Sequence, residues 1–388
     1  MLKHPRQFLF RSSAYLIVMM ACILSQNAEA QNVTANPQST NRLVYTSNMN
    51  EITVTATRTK RKVSEVPESV SVVGTEQIKT RQATDIGDVL RYLPSVDIGG
   101  GPRNIGINVN IRGLGDERIL FLLDGARQDF RRAHNSRIFI DPSLLKRVDL
   151  VRGPASSIWG SGALGGVISF TTLDAADLLR PGERYGVKVR GGFQSMNEQY
   201  IPGASVYGLL GEQFDYLLDF SYRNAADDIR LGDGSKLQNS SFESYASLAK
   251  LNWTPGYHQF MFSAQTFDQN GKVPSNAQAA TTGNNLLANR DTEQRNYTLR
   301  YHYENPDNTW LNPEIVAFHN TTETLEKRQS DQRRDKTNFD TTGVNVKNSS
   351  HIETGNALKQ IFTYGVDYFH KWGIQLNAVI LICEINFS

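Results

Sequence analysis

The chain has 388 residues, and its 41 Lys plus Arg against 39 Asp plus Glu give a formal charge of +2. A balance this near neutral argues against a nucleic-acid partner, which calls for a basic excess on one face, while 39% hydrophobic and 10% aromatic residues are too many for a disordered chain. Mean hydropathy is −0.41 and a single apolar run approaches membrane length, which excludes a bundle of transmembrane helices.

The N-terminus carries Lys3, Arg6 and Arg11, then the apolar run AYLIVMMACIL (14–24), then Ala28-Glu29-Ala30. A basic region, an apolar core of 11 residues and small residues flanking a cleavage point are the three parts of a secretory signal peptide, residues 1–30. The run is only about half the ~20 residues that a membrane anchor needs. A lipoprotein signal ending at Cys22 is the other alternative, and Met19 fits it poorly. The signal region holds the whole +2 excess, so the part from Gln31 onward is neutral. The two cysteines, Cys22 and Cys383, lie near the ends, leaving no disulfide framework or Cys-ligated metal site in the body.

Residues 31–50 are polar and rich in Asn, and read as a flexible lead. EITVTATRT (51–59) is a short β-prone segment. An extended strand with free backbone groups invites a partner to pair with it, though alone it reads equally as an ordinary first strand. SVSVVG (69–74) predicts a strand. TDIGDVLRYLP (84–94) places Ile86, Val89, Leu90 and Leu93 at helical spacing, with Thr84 or Asp85 as cap and Pro94 as stop. NVNIRG (108–113), RILFLLDG (118–125), LKRVDLVRG (145–153) and GGVISFTT (165–172) read as strands punctuated by Gly. Together they predict a compact α/β domain.

From about residue 184 the texture changes to alternating segments separated by polar loops. Tyr185, Val187, Val189 and Phe193 share one face against Lys188 and Arg190. Tyr216, Leu218, Phe220 and Tyr222 oppose Asp215, Asp219 and Arg223. Tyr245, Ala249, Leu251 and Trp253 share a face, as do Tyr297, Leu299, Tyr301 and Tyr303, and then Phe362, Tyr364, Val366 and Tyr368. Residues 225–241 and 270–293 read as long polar loops. Period-2 alternation with charge on the second face fits a soluble sandwich or an outer-membrane barrel. Segments near the ~9–11 residues of a tilted membrane strand, with aromatics at their ends, favour the barrel.

Four blocks stand in order along the chain: EITVTATRT (51–59), VPESVSVVG (66–74), NIRGLGDERILFLLDG (110–125) and LLKRVDLVRGPASSIWGSGALGGVISF (144–170). Together they closely resemble the TonB-dependent outer-membrane receptors, over roughly residues 51–372, with Trp159 where that family usually has Tyr. The resemblance implies an α/β plug domain followed by an antiparallel transmembrane β-barrel, of about 22 strands in the family. It implies a TonB box at 51–56, a plug at 57–175, the first part of a barrel at 184–372 and an aberrant tail at 373–388. It also implies the outer membrane of a Gram-negative bacterium, contact with its lipid, and strand addition by TonB at Glu51, Ile52, Thr53, Val54, Thr55 and Ala56.

Gly160-x-Gly162-x-x-Gly165 matches a dinucleotide fingerprint, but that site needs a helix N-terminus for the pyrophosphate, and VISFTT predicts a strand. The glycines read instead as tight turns. GARQDFRRAHNSRIFIDPSLLKRVDLVRGP (125–154) has a His shortly before an F-x-D-P-x-L-x-K-R-V run. This resembles the haem and haemoglobin branch of the family, which implies haem as transported ligand, not as cofactor, with His134 as an axial ligand of the iron. Neutral imidazole suits that role, and Arg127, Arg131 and Arg132 are candidates to attract the propionates. The bland reading is a solvated basic loop with an incidental His. A second ligand, which the family takes from a barrel loop, has no counterpart motif here. About 205 residues after 183 suffice for some eight or nine strands, and the loss of alternation in AVILICEI reads as truncation near Trp372. The competing expectations are a ferric-siderophore receptor and, from another class, an exported structural or adhesive β protein. No Ser/His/Asp or carboxylate constellation predicts an enzyme.

Overall fold

In the computed structural model of the chain, residues 52–53, 58, 61–354, 358–372 and 378–387 are described, all within one compact unit, Ser47–Ser388. The expected signal peptide, the polar lead and, in the 51–56 segment, everything but Ile52 and Thr53 lie outside the described residues.

SVSVVG forms the strand Ser69–Gly74, whose Val70, Val72 and Val73 are buried, as suits β-branched residues on a pleated inner surface. It pairs antiparallel with Leu145–Arg152, which pairs antiparallel with Gly166–Thr172. Gly166–Thr172 runs parallel to Ile119–Leu123, and Ala126–Gln128 completes the five-stranded sheet. Ile119–Leu123 is buried throughout, in keeping with an unbroken apolar run covered on both faces. Asp124 and Gly125 (φ +49° and +89°) turn it back into Ala126–Gln128, an Asp-Gly hairpin with both central residues left-handed. A three-stranded antiparallel sheet of Val96–Gly99, Asn108–Ile111 and Leu114–Gly115 lies beside it in sequence.

The glycine fingerprint leads into the strand Gly166–Thr172. The helix N-terminus that a pyrophosphate needs is therefore absent there. Gly166 has φ +147°, and a Cβ on it would stand 2.3 Å from the Val151 carbonyl oxygen, so that position accepts glycine only.

The expected helix in 84–94 is Ile86–Leu90, with the Asp85 side chain accepting from the Asp88 N–H at 2.9 Å. Val89, Leu90 and Leu93 point into the core. The Asp85 carboxyl is pushed up to about 6, first by burial and then by the Asp88 carboxylate. The native state thus holds this proton more tightly than the unfolded one. The stabilisation it brings is complete below about pH 4 and is lost as pH rises through about 6. Asp85→Asn keeps a capping acceptor and removes the charge. It is expected to stabilise the protein at pH 7 by on the order of 1 kcal/mol and to flatten the change in melting temperature between pH 4 and pH 7. A lower melting temperature at pH 7 would contradict the assignment.

From Tyr185 the chain becomes a meander of ten long strands, each antiparallel to the next. They are Tyr185–Arg190, Gly203–Leu210, Phe214–Ala225, Phe242–Trp253, His258–Pro274, Leu287–Tyr303, Pro313–Arg328, Arg334–Thr354, Leu358–Trp372 and Ala378–Phe387. Alternation sorts their faces: Leu218 is 53% exposed, while Leu217 and Asp219 on either side are 0% and 3% exposed. The outer face carries Tyr185, Val187, Val189, Leu251, Leu299, Tyr364 and Tyr368, all exposed. Phe214, Trp253, Phe260 and Tyr301 are register partners on four successive strands, with ring centroids 5.5, 5.0 and 5.0 Å apart. This is the aromatic row expected at a membrane interface. Among the described residues no helix is long and apolar enough to cross a membrane.

Two expectations need correcting. The loop placed at 270–293 is confined to 275–286, because the flanking strands continue to Pro274 and restart at Leu287. Here Asn289, Asp291 and Glu293 face outward while Arg290 and Thr292 are buried, so both faces are polar and alternation gives no signal. The meander holds ten strands among the described residues, nine of them within 184–372, where eight or nine were expected. One of them, Ala378–Phe387, lies within the expected tail, pairing from Gln360↔Phe387 to Phe369↔Ala378. Its Val and Ile residues favour extended backbone, and backbone pairing does not require alternation. The 225–241 loop contains a small hairpin, Ile229–Arg230 with Lys236–Leu237.

The plug packs on the inner face of this sheet. Phe130, Phe139, Leu144 and Leu173 share an apolar cluster with Leu217, Ala246, Leu248 and Phe267 of the barrel strands. A second cluster joins Ala126 to Val316, Phe318 and Phe369.

Candidate functional site

Beyond Ala126–Gln128 the plug turns at 132–135. The Asn135 N–H donates to the Arg132 carbonyl at 3.3 Å, and Asn135 Nδ2 donates to the Ala133 carbonyl at 2.9 Å. Ser136 anchors the turn, its N–H donating to the Ile105 carbonyl at 2.7 Å and its hydroxyl to the Asn104 carbonyl at 3.0 Å. His134 stands at the tip, exposed, with φ +60°. Left-handed backbone is uncommon outside glycine, and here the flanking bonds hold it. His134 Nδ1 lies 3.2 Å from Oε1 of Gln278, in the barrel loop 275–286.

That loop is strapped to the plug by Arg103, which is buried. Its guanidinium donates to the carbonyls of Gln238 (2.8 Å), Asn239 (3.0 Å), Ala277 (2.9 Å) and Ala279 (3.1 Å). One plug cation thus gathers two barrel loops over the plug beside His134. Five donors in a rigid fork suit such multiple carbonyl contacts.

The three candidate propionate contacts are otherwise engaged. Arg127 is buried, donates to the carbonyls of Trp159 at 3.2 Å and Ser161 at 2.5 Å, and lies 4.6 Å over the Phe369 ring. It shares no partner with His134 among the described residues, and its role is to brace the plug against the barrel. Arg131 pairs with Glu117, and Arg132 pairs with Glu326 at 2.5 Å. Glu326 also accepts from buried Arg290 at 2.6 Å. A loop that looks solvated in sequence is therefore engaged throughout: Arg131 finds Glu117 within the plug, and Arg132 finds Glu326 on the barrel wall, far along the chain.

At the other end of the plug, Ile52–Thr53 pairs antiparallel with Arg61–Lys62. The candidate TonB box is thus partly paired within its own chain, and Glu51, Val54, Thr55 and Ala56 lie outside the described residues. Just after it, Arg58 is buried. Its guanidinium donates to Asp367 at 2.7 Å and sits 4.2 Å over the Trp159 ring, and its carbonyl accepts from Lys347. Trp159, the exchange from the family's Tyr, thereby serves as the platform for this cation.

Between these ends the plug is pinned to the barrel by buried charges. Asp141 accepts from Arg223 through two bonds, at 2.7 and 2.8 Å, from the Ser221 hydroxyl at 2.8 Å and from the Ser143 N–H at 2.8 Å. Burial alone raises this carboxyl, yet Arg223 and these hydrogen bonds hold it well below the usual carboxylate range. Asp124 accepts from the Thr172 N–H and hydroxyl at 2.9 and 2.7 Å and from Ser263 at 3.1 Å.

Among the described residues no group of three His, Cys, Asp or Glu could hold a bare metal ion. The barrel histidines 258, 302 and 319 bond to Tyr301, Asn312 and Thr342 on adjacent strands and turns. What the arrangement offers is one outward imidazole on a braced plug tip. Arg103 and Gln278 escaped sequence reasoning: Arg103 is a lone basic residue after Gly99, Gly100 and Gly101, and Gln278 sits in a low-complexity polar loop.

Residues 62–167 match the family described as TonB-dependent Receptor Plug Domain. The chain is 31% identical over 377 residues to the heme/hemopexin utilization protein C of Haemophilus influenzae, covering 87% of this chain and 52% of that protein. It is 32% identical over 360 residues to the hemin receptor of Yersinia enterocolitica, covering 92% and 51%. The chain spans about half the length of the curated relatives it matches. In fold it is similar to the FrpB iron transporter from Neisseria meningitidis, with a TM-score of 0.70 at 25% identity over 80% of this chain and 49% of that one. The hemophore receptor HasR of Serratia marcescens, in complex with its hemophore HasA and heme, also has a TM-score of 0.70, at 23% identity over 83% and 46%.

Proposed function

From its membership of the TonB-dependent receptor family, we propose that this chain serves in the import of haem across the outer membrane of a Gram-negative bacterium, energised through TonB. The observation that carries the proposal is His134, an exposed imidazole at the tip of the plug, held by its backbone and by Gln278. Haem is the cargo, bound from outside, alone or handed over by a haem protein. Iron accepts a neutral imidazole readily, and none of the propionate duty falls to Arg127. The outer apolar face and aromatic row meet lipid, and TonB adds a strand at residues 51–56. The relatives bearing haem in their names support this reading, and their kind is receptor and transporter, not enzyme.

The test joins the chain to the second half of the Yersinia enterocolitica receptor, of which it covers 51%. The chimera is expressed in a haem-requiring Gram-negative host with and without TonB. Growth on haem is expected only with TonB. If the chimera instead supports uptake of a ferric siderophore and no growth on haem, the siderophore reading replaces this one.

A further inference from the structure

The Gln278 side chain decides which nitrogen His134 presents. Gln278 Nε2 lies 3.0 Å from the carbonyl oxygen of Gly106. A carbonyl only accepts, so the amide is oriented with its NH2 toward Gly106 and its Oε1 toward His134 Nδ1, 3.2 Å away. An amide oxygen only accepts as well, so the proton of the neutral imidazole sits on Nδ1. The lone pair is therefore on Nε2, which has no partner among the described residues.

The bracket around Gln278 is rigid. Arg103 grips the carbonyls of Ala277 and Ala279 on both sides of it. The Gln278 N–H donates to Asn276 Oδ1 at 2.9 Å. Asn276 and Asn285 tie the base of the loop, at 2.7 Å from the Asn276 N–H to Asn285 Oδ1 and 3.0 Å from Asn285 Nδ2 to the Asn276 carbonyl. A Cβ on Gly106 would meet the Gly100 and Ala277 carbonyl oxygens at 3.2 and 3.3 Å, so the acceptor of Gln278 is itself placed by a close approach.

We propose that Gln278 is a positioning residue for the haem site: it holds His134 in the Nδ1–H form and turns Nε2 outward to the iron. This role rests on the assignment of haem as the cargo. A hydrogen bond from the distal ring nitrogen to an oxygen fixes the tautomer and orientation of a ligating histidine and raises its basicity, and losing such a partner typically costs ~10–100-fold in affinity. Gln278 acts through His134 and does not touch the iron.

The full 388-residue chain in detergent, with Gln278→Leu, Gln278→Glu and His134→Ala as variants, is titrated with ferric haem and then reduced. The Leu variant is expected to bind ~10–100-fold more weakly, with a lower iron–histidine stretching frequency in the resonance Raman spectrum. The Glu variant keeps an acceptor of greater charge and is expected to raise that frequency above the parent's. A loop tie of purely structural kind would weaken binding without moving the frequency in opposite directions. If His134→Ala loses the haem spectrum while both Gln278 variants keep the parent frequency, the role of Gln278 is overturned and the haem site stands. If His134→Ala keeps the parent spectrum, the haem reading itself fails. Should the Leu variant not fold, the Glu variant decides alone.

Discussion

Arg223→Met is expected to loosen the plug from the barrel by about 3–5 kcal/mol, because it leaves the Asp141 carboxylate buried without its counter-ion. The pair is bidentate at 2.7 and 2.8 Å, with side chains 7% and 2% exposed. Asp141 also caps the short turn Pro142–Leu144 through the Ser143 N–H, so its distress reaches the strand Leu145–Arg152. The double variant Asp141→Asn with Arg223→Met removes the stranded charge and should recover a large part of the loss. Urea-dependent protease cleavage of the plug in detergent reads the effect. A loss under about 1 kcal/mol, the range of an exposed pair, would show that this contact does not hold the plug in place.

Ile52→Pro is expected to abolish haem import by the chimera with the Yersinia enterocolitica receptor while leaving haem binding at the cell surface intact. The candidate contact is a β segment, and proline removes a backbone donor that strand addition uses. Among the described residues Ile52 and Thr53 pair with Lys62 and Arg61 alone, and each backbone bond in such a ladder is worth a net ~0.5–1.5 kcal/mol. Releasing the segment to a partner strand is therefore cheap. Beyond it, Arg58 contacts the plug and the barrel at once, through Trp159 and Asp367. Normal import by Ile52→Pro would remove residues 51–56 as the TonB contact.

Local chemistry made much of this fold legible. Ser69–Gly74, Ile119–Leu123 and Gly166–Thr172 stand where β-branched or apolar runs end or start at or beside glycine, and the helix at 86–90 begins at its capping Asp85. The outward face of Tyr216, Leu218 and their kind followed from alternation alone, since the exposed side and the plug-facing side of the sheet demand opposite surfaces. The ends of the long hairpins did not, because Asn289 and Arg290 face different surroundings with equally polar side chains. The site was half legible. His134 was visible as a lone imidazole before a recognisable run, but its partner Gln278 lies 144 residues away, and no local pattern links them. The arginines misled for the same reason: Arg127 finds Phe369, and Arg132 finds Glu326, only once the barrel wall packs on the plug. Ile52 and Thr53 were legible as a strand, while no local pattern in the sequence points to their pairing with Arg61–Lys62.

Whether His134 ligates haem iron is decided by an equilibrium titration. The 388-residue chain in detergent is titrated with ferric haem, following the Soret band, beside His134→Ala. The parent chain should give a saturable shift typical of imidazole-bound iron, and His134→Ala should lose that shift or need at least about tenfold more haem to approach it. An unchanged titration curve for His134→Ala would show that the iron takes its ligand elsewhere.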